Sequence, residues 1–166
     1  QMWTGLFRAA FGAGLPVVER YPHPYWINTY GQPPNGFLGL DAMINVEKDY
    51  SLDFKFTNST GNWIAVVTEA DGENLSAKIL GTNPGWTITV GDPVISDIQQ
   101  PSEEMQYEDS SELPAGQELQ VEHAQQGFTS TFSRVVKNGD TVISDDTFTG
   151  TYAPSNNTTL RGTGGQ

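Results

Sequence analysis

The sequence predicts a mainly β protein with one N-terminal helix (α+β), folded as antiparallel meanders in two small β-rich units. Two observations lead to this prediction. The 166 residues include 18 glycines and 10 prolines, which favour short strands joined by turns over long helices. Hydrophobic residues make up 36% of the chain and aromatic residues 11%, which is enough apolar material for a packed core. We therefore expect an ordered chain in which strands dominate.

The first predicted element is a helix over residues 2–13. Its apolar residues recur at three- and four-residue spacing, and Gly14 follows as the left-handed residue that a helix end prefers. Such a stripe usually packs into a core, but it is also our candidate self-association surface, formed by Met2, Trp3, Leu6, Phe7 and Phe11. Because the helix starts abruptly and without a capping residue, we expect the chain to be a fragment or a processed product.

The next segment, residues 15–40, is predicted to be an irregular connector because five prolines interrupt it. Strands are predicted after it at 40–46 and 51–57, where apolar and polar residues alternate. A turn at 58–62 and a hairpin complete the first meander. The hairpin has strands at 63–69 and 75–80, joined at Asp71-Gly72.

The composition changes after residue 90, where a second unit is predicted to begin. We expect three segments: a first unit at 1–90, an exposed acidic linker at 91–112 and a second β module at 113–166. Asn138-Gly139 between two strand-like runs predicts a tight hairpin. Further strands are predicted at 86–90, 93–98, 118–123, 127–136, 141–147 and 158–162.

The charge and the residue types exclude several classes of function. Twenty acidic residues against eight basic ones give a net charge of −12, which repels nucleic-acid phosphates and anionic lipids. The chain has no cysteine, so thiol catalysis, cysteine-bound zinc and disulfides are excluded within it. No apolar run reaches the roughly twenty residues that a membrane span needs. We expect no nucleic-acid partner, no membrane span, no cofactor and no metal.

Several runs in the first half resemble the VanW family. Residues 6–10 and Gly14 to His23 are similar to the family's hallmark run, and the pattern continues at 39–42, 52–58 and 78–82. The resemblance is to the C-terminal half of a VanW domain. The family ordinarily has a further upstream stretch, so we expect this half to be truncated or supplied elsewhere. If so, the helix and connector would expose apolar surface that another copy covers.

The second half resembles a G5 module. The matching residues are 113–116, 120–122, the Asn138-Gly139 hairpin, 148–154 and Gly162. The two resemblances imply a secreted, extracellular or cell-wall-associated bacterial protein. VanW is named for a glycopeptide-resistance gene cluster and has no established activity, whereas G5 modules are implicated in adhesion and in amino-sugar or peptidoglycan contact.

The candidate ligand-binding residues lie in and beside the VanW-like motifs. Glu19, His23 and Asp41 are the first candidates for polar contacts or a weak metal constellation, although their spacing matches no zinc pattern. The connector aromatics suit either a sugar-binding surface or plain core packing, and they are Tyr25, Trp26 and Tyr30. His123 has no nucleophile in its sequence context. We identify no catalytic residue, and the sequence does not decide whether the chain is an enzyme.

Three functions remain open on this reading. The leading hypothesis is a non-catalytic cell-envelope protein that mediates self-assembly, as an oligomer or filament, or surface adhesion. The alternative is a module of a larger cell-wall protein that binds peptidoglycan or another glycan. The third is a cell-wall hydrolase or transferase whose catalytic part lies upstream of Gln1.

Overall fold

The computed structural model describes residues 2–30, 37–72 and 74–164, and it confirms a mainly β chain with an N-terminal helix. The chain forms two compact units that interleave along the sequence. Unit 1 contains Gln1–His23, Ile27–Val94 and Ser130–Gly150. Unit 2 contains Pro24–Trp26, Ile95–Thr129 and Thr151–Gln166.

The elements follow the predicted order with a few additions. Helix α1 spans Met2–Gly12, and a short 3-10 helix spans Asn28–Tyr30. The strands before residue 91 are β1 (Val17–Glu19), β2 (Asn45–Val46), β3 (Ser51–Leu52), β4 (Lys55–Phe56), β5 (Ile64–Asp71), β6 (Asn74–Gly81) and β7 (Trp86–Val90). The later strands are β8 (Val94–Gln99), β9 (Gln106–Pro114), β10 (Glu118–Glu122), β11 (Gly127–Asn138), β12 (Thr141–Tyr152) and β13 (Thr158–Gly164).

The core of unit 1 forms where the apolar face of α1 packs against residues distant in sequence. The ring centroid of Phe7 lies 5.7 Å from that of Phe54, and Phe11 lies 5.9 Å from Phe132 and 5.2 Å from Phe148. All five rings are buried. Burial of each phenyl group stabilises the fold by about 1.5–3 kcal/mol, so these aromatic contacts dominate the core.

The C-terminal end of α1 shows why Gly14 follows it. The amide of Leu15 donates to the carbonyl of Ala10 and the amide of Gly14 donates to that of Phe11, each at 3.1 Å, which is a Schellman motif. Gly14 has φ +74, the left-handed conformation that this motif needs. The fully buried guanidinium of Arg134 donates to the carbonyls of Phe11 and Leu15, so it adds side-chain hydrogen bonds to the backbone at the end of the helix.

Unit 1 contains antiparallel sheets and hairpins. Strand β7 pairs with β11, and β11 pairs with β12. Strands β5 and β6 form a separate hairpin in full register from Ile64↔Gly81 to Asp71↔Asn74, as predicted. The other predicted hairpin also forms, with Gly139 at the first central position and φ +56. That is the glycine position of a type II′ turn.

Unit 2 contains a three-stranded sheet in the order β10-β13-β9. Strand β13 pairs antiparallel with β10 and parallel with β9, and this parallel pair departs from the predicted meander. Strand β9 begins within residues 91–112, the predicted acidic linker, and ends at Pro114. A Cβ atom on Gly162 would lie 1.9 Å from the carbonyl oxygen of Pro114, so glycine is required where β13 approaches the end of β9.

The structure also places the residues of the predicted self-association surface. Phe7 and Phe11 are buried, and Leu6 is partly buried against the same core. Met2 and Trp3 are exposed. Within this set, therefore, only Met2 and Trp3 offer a partner much surface. The predicted strand at 40–46 is reduced to Asn45–Val46, and residues 31–36 of the predicted connector lie outside the described residues.

Candidate functional site

Two predicted site residues, His23 and Asp41, meet in unit 1. His23 lies four residues after β1, and Asp41 lies in the segment that precedes β2. An isolated antiparallel bridge joins these two segments at Tyr21 and Met43, where the amide of Met43 donates to the carbonyl of Tyr21 at 2.9 Å. The bridge fixes the register of the segments and so places the two side chains beside each other.

Asp41 is the buried centre of this arrangement. Its carboxylate is 1% exposed and accepts a hydrogen bond from the backbone amide of His23 at 2.9 Å. The same carboxylate oxygen lies 2.6 Å from Nδ1 of the His23 ring. The other oxygen accepts from Nη2 of Arg20 at 3.3 Å. Because a buried carboxylate is costly without compensation, these donors and the arginine charge are what keep it in the interior. We call Arg20, His23 and Asp41 the Asp41 cluster.

Arg20 connects the cluster to three other parts of unit 1. Its Nε donates to the carbonyl of Asp41 at 2.7 Å, and its Nη2 donates to the carbonyl of Gly39. Its Nη1 donates to the carbonyl of Thr149 at 3.3 Å. The guanidinium carbon lies 4.8 Å from the centroid of the Phe7 ring, a cation–π distance. Arg20 thus holds the connector, β12 and the helix core in one arrangement.

The chemistry available to His23 follows from its partner. A carboxylate at Nδ1 fixes the orientation of an imidazole, as it does in general-base sites. In those sites the other ring nitrogen faces a nucleophile or a substrate. The His23 ring packs on Tyr30 at 5.3 Å between centroids, and Tyr30 is itself buried. The geometry therefore suits the anchoring of the connector.

Glu19, the third predicted polar residue, has a different partner. It sits in β1 opposite Lys55 of β4, and its carboxylate accepts a hydrogen bond from Nζ of Lys55 at 2.5 Å. This hydrogen bond raises the pKa of the Lys55 amine. The structure therefore groups His23 with Asp41 and places Glu19 in a cross-strand ion pair with Lys55.

The three connector aromatics are divided between the units. Tyr30 in unit 1 is buried and lies beneath the guanidinium of Arg8 at 5.8 Å. Trp26 in unit 2 packs edge-on against Phe128 and Tyr152 at 5.7 and 5.4 Å. Tyr25 is the exposed member. Tyr30 and Trp26 therefore pack against other side chains, and Tyr25 is the one that remains exposed.

A second candidate site, unused by the sequence predictions, lies at the base of the β5–β6 hairpin. Three adjoining clefts share lining residues there: Gly81 and Thr82 line two of them, and Trp86 also lines two. The lining comes from within residues 59–65, 79–88 and 141–143, with contributions from Gly12, Ala13, Leu15 and Asn138. We call this set the hairpin-base surface.

Trp63 is the most exposed large apolar side chain of the hairpin-base surface, at 84%. Leu80 is also exposed and lines the same cleft as Trp63, whereas Val142 and Ile143 are exposed in the cleft lined by Trp86 and Asn138. Within the described part of the chain, the residues lining the three clefts include no charged side chain. In a chain with 17% charged residues, a surface of this size would ordinarily carry several.

Sequence reasoning missed both Arg20 and the hairpin-base surface. A signal for Arg20 was present, since an arginine in a run that also contains a histidine and precedes a buried aspartate is a natural charge partner. Trp63 was treated as the first residue of a strand. Its exposure depends on the hairpin packing through its other face, which no local pattern reveals.

No metal centre is formed by the described residues: among 2–30, 37–72 and 74–164, no three His, Cys, Asp or Glu side chains are grouped to hold an ion. None of the helices in this part of the chain has the length and apolar character that crossing a membrane requires.

Comparison with known proteins gives one family similarity. Residues 1–80 match the model of the family described as VanW like protein, just under half of the chain. This region contains α1, the Asp41 cluster and most of the β5–β6 hairpin. No match was found among curated proteins or among solved structures.

Proposed function

We propose that this chain is a non-catalytic bacterial cell-envelope protein, secreted or held at the cell surface, that acts by adhesion. The envelope location is supported by the similarity of residues 1–80 to the VanW family. Adhesion is supported by one observation above the others: Trp63 projects with 84% of its surface exposed from a surface without charged lining residues.

Exposing a tryptophan and its apolar neighbours to water is unfavourable in free energy, so such a surface indicates a binding site. Trp is among the residue types most enriched at binding hot spots, and contiguous exposed apolar patches commonly mark interaction sites. Trp63 has the exposed Leu80 beside it in the same cleft, and the remaining lining residues of this cleft are Ala65, Gly81 and Thr82. A surface of this kind gains free energy when a partner covers it.

The Asp41 cluster contributes to this function by holding the scaffold rigid. Its carboxylate is buried, and Arg20 donates to carbonyls of three separate residues. A cluster that uses its polar atoms for internal bonds supports a structural role for His23 and Asp41 over a catalytic one. His23 and Asp41 therefore hold segments of unit 1 together, and Glu19 adds a surface ion pair with Lys55.

Self-assembly is a second candidate, favoured by the sheet of unit 2. In the described part of the chain, β9 and β10 are the outer strands of that sheet, so each has one edge for pairing with another chain. Five acidic residues on these strands oppose such pairing with an identical edge: Glu108, Asp109, Glu112, Glu118 and Glu122. The like charges favour adhesion as the primary function.

The proposal includes a G5-like character for residues 113–166. It is supported by the motif resemblance and by the close approach of Gly162 to Pro114, which ties the closing glycine of the motif to its first loop. The peptidoglycan or glycan alternative is compatible with adhesion, since it names one class of material that an adhesive surface would contact.

The experiment is co-sedimentation of the purified protein with isolated bacterial envelopes. We expect wild type to sediment with them and Trp63→Ala to remain in solution, because the substitution removes the exposed indole. Tyr50→Ala, which removes a half-exposed aromatic outside the surface, is the matched control. Tyr25→Ala tests the connector. Wild type that stays in solution, or Trp63→Ala that sediments like wild type, contradicts the proposal.

Self-assembly is measured separately by light scattering over a range of protein concentrations. A mass that rises with concentration supports the assembly candidate, and Met2→Ser with Trp3→Ser then tests whether α1 contributes. A monomer mass at every concentration removes that candidate and leaves adhesion as the function under test.

A further inference from the structure

We infer that Trp63 inserts into a cleft on a second copy of this chain, so that copies join head to tail through unit 1. The receiving site lies between Ile64 and Ile79 of the hairpin and Trp86 and Ile88 of β7, and we call it the apolar cleft. This contact is separate from strand pairing at the outer edges of the unit 2 sheet. It goes beyond the adhesive function, because it gives the exposed indole of Trp63 a second partner.

The register of the β5–β6 hairpin separates Trp63 from the apolar cleft. Ala65 pairs with Leu80, and side chains that follow one another along a strand point to opposite faces of a sheet. Trp63, Ala65 and Leu80 therefore share one face, where they line a cleft of their own. Ile64 and Ile79 share the opposite face, which packs against the core. The indole of Trp63 thus points away from the apolar cleft of its own chain, and only another copy brings the two together.

The apolar cleft has the size and the chemistry that an indole requires. Its volume is about 280 Å³, and an apolar cavity of about 150 Å³ already holds benzene. A larger, bicyclic ring therefore fits. A buried indole also needs an acceptor for its N–H group. Thr60, Thr82 and Asn83 line the same cleft and provide hydroxyl and amide oxygens for that hydrogen bond.

The charge of the chain favours this contact over others between two copies. Each copy carries a net charge of −12, so copies repel one another over most of their surfaces. Within the described part of the chain, neither the apolar cleft nor the cleft around Trp63 has a charged lining residue. Insertion of the indole therefore brings together two uncharged regions, where the repulsion is smallest.

A second copy also explains more than a small apolar ligand does. Such a ligand would fill the apolar cleft but would leave Trp63, which is 84% exposed, in water. A second copy fills the cleft and covers an indole in one contact, so it removes two exposed apolar regions together. Because the inserted group and the receiving cleft are different parts of the chain, the contact is heterologous. Each copy then binds one neighbour through Trp63 and another through its cleft, which produces a ring or an open array.

The contact is small, so we expect association to be weak and reversible. One indole buries about 150–250 Å², whereas stable interfaces bury about 1,200–2,000 Å² in total. Assembly therefore needs a high concentration of the chain. Salt should strengthen it, because salt screens the repulsion between acidic copies. A copy whose Trp63 lies in a neighbour no longer offers that indole to the envelope, so assembly and adhesion compete for the same residue.

The test is analytical ultracentrifugation of the purified full chain from about 10 μM to about 1 mM, the range in which weak contacts are populated. We expect the mass of wild type to rise with concentration, and to rise further in about 0.5 M NaCl. Trp63→Ala should remain a monomer throughout. Tyr50→Ala, which removes another exposed aromatic of unit 1, should assemble like wild type.

A second variant closes the receiving site and leaves Trp63 in place. Gly12 lines the apolar cleft, and a Cβ atom there meets nothing within 4 Å. Glutamine suits a helix, so Gly12→Gln should fold and place a long polar side chain at the wall of the cleft. We expect this variant to remain a monomer. Met2→Gln adds the same side chain at an exposed position of α1 that does not line the cleft, and it should assemble like wild type.

Mixing the two variants gives the sharpest result. Trp63→Ala retains an open cleft and Gly12→Gln retains an indole, so an equal mixture should form a dimer and nothing larger. Thermal melts show whether each variant is folded. If Gly12→Gln is not, Asn83→Asp replaces it, since an aspartate still accepts from the amide of Gly85 and places a charge in the cleft.

Three results overturn the inference: wild type that is a monomer at every concentration, assembly that persists in Trp63→Ala or in the folded cleft variant, and a mixture that forms no dimer. Adhesion is distinguished by co-sedimentation with envelopes. Gly12→Gln keeps its Trp63, so it should sediment like wild type even though it does not assemble. Wild type that assembles but does not sediment would contradict adhesion alone.

Discussion

At the scale of single residues, Asp41 shows how a buried charge can be fixed by neighbours distant in sequence. Its carboxylate contacts Arg20, 21 positions away, and His23, 18 positions away. Arg20 is itself nearly buried, with 5% of its side chain exposed. Removing one member of a buried pair leaves the other charge uncompensated, which costs more than the pair contributes when intact.

We therefore expect Asp41→Asn to lower the free energy of unfolding by about 3 kcal/mol, because it strands the Arg20 guanidinium in the interior. Urea denaturation followed by circular dichroism measures the change. The control is Asp49→Asn at an exposed carboxylate, which should change stability by less than about 0.5 kcal/mol. Equal losses for the two variants would show that the Asp41 cluster does not hold the fold.

A second prediction concerns the exposed pair on the β5–β6 hairpin. The hydrogen bond from Lys78, at 2.6 Å, and its positive charge lower the pKa of the Glu69 carboxyl. A carboxyl with a lowered pKa in the folded chain adds stability above its ordinary pKa, and this contribution disappears as pH falls through the lowered value. An NMR titration of Glu69 should show an upward shift of its pKa in Lys78→Gln, and none in Lys48→Gln.

Sequence patterns identify individual residues such as Asp41 and His23 more readily than they identify the role of those residues. Asp41 and His23 were found because they stand in motifs, and the structure places them together. A motif does not show which polar groups form hydrogen bonds within the protein, so it does not decide whether these two residues contact a ligand. Asp41 is buried beside Arg20, which also donates to the carbonyl of Thr149, 129 positions away, and contacts over such a distance in the sequence are a tertiary property.

At the scale of elements, the end of α1 offers a matched pair of glycines. A Cβ atom on Gly14 would lie 3.1 Å from Val136 and 3.2 Å from Ile88, at φ +74, whereas a Cβ on Gly12 would meet nothing within 4 Å. We expect Gly14→Ala to destabilise the chain by about 1–2 kcal/mol or more, since it adds crowding to left-handed strain.

Gly12→Ala is the control and should be neutral or stabilising by up to about 1 kcal/mol, because alanine is the better helix former. Thermal or urea unfolding compares the two variants directly. If the two substitutions had the same effect, the Schellman motif would not be what stops the helix.

Elements with a buried face or a turn signature were predictable, and elements without either were not. Helix α1 and both hairpins follow from apolar spacing and from glycine at the turns. Residues 100–112 predict a linker because they hold five acidic residues and few apolar ones, and β9 shows no apolar alternation because its residues are mostly exposed. Its partner β13 is more than forty positions away, and a parallel ladder leaves no local signal in either strand.

At the scale of the whole molecule, unit 1 is assembled from segments that are far apart in the chain. Its core includes Phe132 and Phe148, and Arg134 caps the helix from a position 123 residues from Phe11. The region that matches the VanW family, residues 1–80, therefore contains only part of the core in which it is folded.

We expect residues 1–94 produced alone to lack a stable fold, because the segment Ser130–Gly150 that completes unit 1 is missing. A proton–nitrogen NMR spectrum should show poor dispersion, and adding a peptide of residues 128–152 should improve it. A well-dispersed spectrum of the short chain by itself would show that the first segment folds independently. The full chain measured in the same buffer is the reference.

The order in which the segments leave the ribosome adds a constraint in time. Synthesis at about 5–20 residues per second separates Phe11 from Arg134 by about 6–25 s. Throughout that interval the apolar face of the helix has no Phe132 or Phe148 to pack against. A nascent chain that stays open for seconds is exposed to chaperones before it folds. The late arrival of one β-hairpin thus delays folding of the first unit until most of the chain has been made.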